Sequence, residues 1–346
     1  MKTLGAATVI LIAAVVRATA SFEAGPAAPV APALLSETGL YAGEGTTQID
    51  PRNRPFSPQY PLWSDGAAKK RWIRLPDGAA IDATNLARWE FPVGTRFWKE
   101  FSFNGRKVET RMLWRATQER WVFASYAWNE AQTEAMLAPE TGIPDVAEVA
   151  PFDVAQGKPG KRHTIPGVAD CRSCHDSART EILGFDALNL SDDRDPNAPH
   201  AETLTNEMLT LRTLTEENLI YPKRQELIAT PPRIAARSAN ERAALGYLST
   251  NCGSCHNRES SIASLGLILK HRDGSTLTTT VNQRGHWVVP EAQEESRLIN
   301  PGHPESSAII RRLKSRRPSS QMPPLGTVVV DRDALDLLVR WVKEMQ

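Results

Sequence analysis

The sequence predicts an α+β multidomain chain: an N-terminal antiparallel β domain, sandwich-like, followed by two small all-α domains. Three observations carry that expectation. Seven of the nine tryptophans fall between Trp63 and Trp128, in short runs whose residue types alternate. All four cysteines lie in two Cys-x-x-Cys-His motifs, one from Cys171 and one from Cys252. The segments beside the second motif, ERAALGYLSTN and DRDALDLLVRWVKEM, carry apolar residues at helical spacing.

Taken in chain order, residues 1–20 read as a signal peptide: Lys2, an apolar run, then the small-residue site ending at Ala20, after which cleavage is expected. Arg17 interrupts the run, and the run is short for a membrane anchor, which is the rival reading. No later segment is apolar enough to cross a bilayer, so no stable membrane span is expected after signal cleavage. The expected location is the periplasm. Residues 21–40 are rich in Ala and Pro and read as a flexible lead-in.

Residues 41–150 form the expected Trp-rich β domain. In KVETRMLWRA, Val108, Thr110, Met112 and Trp114 fall on one face and Glu109, Arg111 and Leu113 on the other. Turn signals such as FNGRK and PDGAA separate the runs. The tryptophans are expected to fill a core rather than line a binding face. Lys69, Lys70 and Arg71 are expected at a solvated strand edge. Residues 151–222 form a first small domain, 223–238 a linker with a Pro-Pro stop, and 239–346 a second small domain. The chain holds 41 basic and 40 acidic residues, without the basic excess of a nucleic-acid binder.

Three chemistries compete for the cysteine motifs. A zinc ribbon would place two pairs about fifteen to twenty residues apart, whereas 77 residues separate Cys174 from Cys252. A thioredoxin-like site needs one such motif in a βαβ setting, which the flanks lack. Covalent haem accounts for every residue. Cysteines at i and i+3 on a helical turn present two sulfurs to the two vinyl groups, and the next imidazole faces the iron. Two haem c groups are therefore expected, with thioethers at Cys171, Cys174, Cys252 and Cys255 and proximal ligands His175 and His256. The two small all-α domains become cytochrome c-type haem domains.

The opposite faces of the irons differ. A helix into CxxCH, a methionine in the Pro-rich QMPPLGT and a closing helix with Leu335, Leu338, Val339 and Val342 inward closely resemble a class I cytochrome c. That resemblance makes Met322 the distal ligand of the second haem. A thioether raises the potential and Pro323 and Pro324 stiffen the loop. For the first haem, the candidates are Met208, on an expected helix LTNEMLTLRTL with Leu204 and Leu211, His163, eight residues before Cys171, and the weaker His200; an open iron is the remaining option.

The strings YPLWSDGAAKKRWIRLP and FPVGTRFWKEFSFNGRKVETRMLWR, then two CxxCH motifs, the last followed by QMPPLGT, resemble a family of dihaem c-type cytochromes from about Gly39 onward. The resemblance implies a redox partner protein whose identity is not established, with a quinoprotein-type dehydrogenase as the suggested donor. The expected function is single-electron transfer. The rival is a dihaem peroxidase or oxidase with an open coordination site on the first haem; against it, the first cysteines of the motifs lie only 81 residues apart and a β domain precedes both.

Overall fold

The alternation of the Trp-rich region is realised in one antiparallel sheet. The computed structural model describes residues 29–43, 45–150, 160–177, 182–286 and 297–345; the expected signal peptide lies outside them. Among the described residues the strands are β1 (Arg54–Pro55), β2 (Ala68–Arg74), β3 (Ile81–Asp82), β4 (Arg96–Phe103), β5 (Arg106–Arg115), β6 (Trp121–Trp128), β7 (Ala135–Leu137), β8 (Ile143–Ala150), β9 (Lys161–Ile165) and β10 (Ile220–Tyr221). Six of them build the sheet in the order β1-β2-β4-β5-β6-β7. Asn104 and Gly105, at φ 50° and 76°, turn β4 into β5, the left-handed pair that a two-residue hairpin requires.

Register sorts the side chains into two faces. Trp72, Trp98, Met112 and Ala124 stand opposite one another on the first face. They pack with Leu35, Leu40 and Tyr41, so the second half of the Ala/Pro-rich stretch belongs to the core. Ile73, Phe97, Leu113 and Phe123 line the second face. There they meet Phe56, Phe91, Phe185, Leu209, Leu211 and Leu214. Edge-to-face contacts at 4.8 Å for Phe56–Phe185 and 5.1 Å for Phe91–Phe97 add about 0.5–1.5 kcal/mol each beyond burial.

Seven α-helices occur among the described residues: α1 (Val168–His175), α2 (Leu211–Glu216), α3 (Gln225–Ala229), α4 (Ala239–Asn251), α5 (Thr276–Thr280), α6 (Ala308–Lys314) and α7 (Arg332–Glu344). The expectation of two small all-α haem domains is therefore corrected, and so is the sandwich. The described chain is chiefly a β-sheet protein, and both faces of its one large sheet are covered by other segments. The region after the first hairpins has only short helices, and α1 buries none of its own residues. With so little apolar surface of its own, it adds Ile182, Phe185, Leu190 and Ile220 to the core of the sheet. It also lends strands: β10 runs parallel to β3, and β9 pairs with β8. Residues Ala31–Gln346 form one compact unit.

The C-terminal helices share this dependence. Helices α4, α6 and α7 gather around Leu245, Leu248, Leu313, Leu338 and Trp341, but Tyr60 from the N-terminal half joins the same core. A Cβ at Gly246 would lie 2.1 Å from the Tyr60 ring, so glycine is what lets the two segments touch. The buried face of α7 carries Leu337, Leu338, Trp341 and Val342, while Leu335 and Val339 are half-buried at its margin.

Candidate functional site

The second motif continues directly from α4. Ser238 caps that helix, its hydroxyl accepting from the Glu241 amide at 3.1 Å. Past Asn251 the chain makes one further turn, in which the amides of Cys255 and His256 donate to the Cys252 carbonyl at 3.1 and 2.8 Å. Both cysteines and His256 line a cavity of about 620 Å3, walled by Tyr247, Leu248, Leu269, Ile309 and Leu338. Met322 lines the same cavity, together with Pro323 and Pro324. Its loop is pinned to α6, where the Met322 amide donates to the Arg312 carbonyl at 3.0 Å and Arg312 Nε donates to the Ser320 carbonyl at 3.2 Å.

His256 is buried, and its Nδ1 has no hydrogen-bond partner. Burial, with Arg312 nearby, pushes its pKa down to about 4, so the ring is neutral, the form that binds a metal. The residues present therefore fit a haem. A mostly apolar cavity within the usual size range for a bound cofactor holds two sulfurs, a neutral imidazole and a thioether. Among the described residues, no three or more His, Cys, Asp or Glu side chains gather as they would around a bare metal ion.

The first motif is the helix α1 itself. Asp170 accepts from the Gly167 amide at 3.0 Å at its start. The helix rests on β6: the His175 ring lies 5.3 Å from Phe123, edge to face, and the Arg172 guanidinium sits 5.3 Å above the same ring. Cys171 packs against the apolar core beneath the sheet.

The two motifs meet, which the sequence did not foretell. The side chains of Cys174 and Cys255 lie close enough to perturb one another, which holds the Cys174 pKa above and the Cys255 pKa below the usual thiol value. Asn257 Nδ2 donates to the Ser177 carbonyl at 3.0 Å, clasping the ends of the motifs. Ser173 and Ser177 even line the second motif's cavity. The 77 intervening residues give no local signal of this junction.

The remaining candidates fall in different settings. His163 is buried on β9, its Nε2 2.8 Å from Glu109 and its Nδ1 3.9 Å from Asp65. Burial opposes its protonation, but those two carboxylates outweigh it and hold the pKa above the usual histidine value. Met208 is half-buried in a turn, because the helix expected from Leu204 begins only at Leu211, capped by Thr210. His200 stacks at 4.7 Å on Trp63 and pairs at 2.9 Å with Asp331, the N-cap of α7. Of the basic run on β2, Lys70 is exposed and Lys69 half-buried, while Arg71 is buried and bound to Glu202. No protein-family model, curated protein or solved structure matches the chain.

Proposed function

We propose that this protein is an exported dihaem c-type cytochrome that transfers single electrons, taking them from a periplasmic dehydrogenase and passing them on. Haem iron supplies a one-electron ferric/ferrous couple. Cys171 and Cys174 carry one group and Cys252 and Cys255 the other. His175 and His256 would ligate the irons, and Met322, which lines the same cavity as His256, would supply the second ligand there. The closure of the two motifs on one another, held by the Asn257–Ser177 hydrogen bond with Ser173 and Ser177 lining the second motif's cavity, is the observation that carries the reading, because groups held on Cys174 and Cys255 would then lie close together. That is what an electron conduit needs.

The chain's own residues set the conditions. Apolar walls exclude water from the second site, and the pinned loop fixes the Met322 thioether in place. For the first site, both ring nitrogens of His163 face carboxylates, which leaves Met208 or an open sixth position. Leu209, next to Met208, shares an apolar cluster with Cys171.

The test is haem stoichiometry by pyridine haemochrome in protein matured for c-type attachment. Two haems per chain are expected, and one each in the Cys171→Ala/Cys174→Ala and Cys252→Ala/Cys255→Ala variants. Unchanged haem content in both variants would falsify the assignment.

A further inference from the structure

We propose that a row of cations across the second face of the sheet, Arg71, Lys99 and Arg111 with Lys69 beside it, seats the propionate carboxylates of the haem carried by Cys171 and Cys174. The proposal rests on the dihaem reading and deepens it. Register puts the three directly in line, Arg71 opposite Lys99 and Lys99 opposite Arg111, on neighbouring strands β2, β4 and β5. Like charges placed opposite one another across a sheet are destabilising. Such a row persists inside a protein when something anionic completes it.

The partners present do not complete it. Arg71 is buried and donates from one nitrogen, Nη1, to both Glu202 oxygens at 3.0 and 2.9 Å, while its Nη2 is buried with no hydrogen-bond partner. Arg111 grips Glu109 at 3.0 and 2.6 Å, and the same carboxylate also serves His163. Lys99 has, among the described residues, no carboxylate at ion-pair distance. Its Nζ stands 4.8 Å over the Phe101 ring; burial, then the like charges of Arg71, Lys69 and Arg111, hold its pKa well below the ordinary lysine value against the opposing pull of the already engaged Glu109, so an added anion would restore its charge. Of the row, Arg71 pairs with Glu202 and Arg111 with Glu109, while Lys69 feels Glu202 and the more distant Asp331 without an ion pair to either.

Position links the row to the first motif. Arg111 lies within electrostatic range of Cys171 and Cys174, and α1 rests on β6, the strand next to β5. A dianionic group hanging from α1 therefore reaches the cations from above. The orphaned Arg71 nitrogen and the Lys99 ammonium are the donors left for it.

The experiment is a spectroelectrochemical titration of the matured full-length protein as wild type, Lys99→Met, Arg71→Lys and Lys70→Met. The Met322→Ala variant identifies the second couple, leaving the first by difference. A cation beside the carboxylates disfavours the ferric state, so the first couple falls in Lys99→Met and stays near wild type in Arg71→Lys, which keeps the charge. Lys70 points away from the row, and its variant leaves both couples in place. Two bound haems with a first couple unmoved by Lys99→Met overturn the proposal. A free anion as the occupant would show instead as a phosphate-dependent rise in melting temperature that Lys99→Met abolishes while the first couple stays put, and that also overturns it. Absence of haem at Cys171 and Cys174 in the wild-type chain, read from haem content alone, overturns the dihaem reading and this proposal with it.

Discussion

His163 and Met322 show how single side chains decide what each site can do. The folded-state pKa of His163 is raised by Asp65 and Glu109 against the pull of burial. Its contribution to stability is therefore fully present below the unfolded value near 6.5 and is lost as pH rises through the higher folded value. Denaturant melts between pH 6 and 9 should show wild-type stability falling with pH, and a His163→Gln variant losing that slope. A flat wild-type profile would instead mean that the ring does not titrate, as expected of an iron ligand. On the proposed dihaem reading, Met322→Ala should lower the second haem's potential and let its iron take up cyanide or imidazole. An unchanged ligand-binding spectrum would rule Met322 out as the distal ligand. That Met322 shares a cavity with the second motif was legible from QMPPLGT, because a methionine before two prolines and a closing helix is a local pattern. The setting of His163 was not, since Glu109 is 54 residues away and no local period connects them.

At the scale of elements, hairpins and long helices were the readable parts. Asn104 and Gly105 announce the β4–β5 turn by residue type alone, and the alternation of β5 matches its observed faces. Helices α4 and α7 follow from apolar spacing, although the buried face of α7 is turned toward Leu337 and Trp341. What could not be read is which partner covers a face. Arg71 looks like a strand-edge cation in KKRWIR, yet β2 is flanked by β1 and β4, and Glu202 closes over it from another part of the chain. The meeting of α4 with Tyr60 is of the same kind. Gly246→Ala should cost about 1–3 kcal/mol, because the new methyl group forces the ring aside. Chemical denaturation checks this, and pairing the change with Tyr60→Leu should return part of the loss. A second test is Asp331→Ala, which removes both the α7 N-cap and the partner of His200. It should destabilise the chain by about 0.5–2 kcal/mol through the cap alone.

For the whole molecule, the expected beads on a string are replaced by one shared framework. Residues 160–222 have no core of their own, and the second motif's helices are completed by Tyr60. Calorimetry of the matured protein should accordingly give a single cooperative transition across Ala31–Gln346. Separate transitions for the β part and the two motif regions would contradict the shared cores.

The thiol contact also bears on timing. Cys174 and Cys255 come together only when the segments from 171 and from 252 have closed on one another. Two thiols in contact in an oxidising compartment are ready to become a bridge. Such a bridge would take one sulfur from each motif and leave neither able to form both of its bonds. On the proposed dihaem reading, loading would then have to come before closure, so the same approach of the motifs would also set the order in which the protein is built.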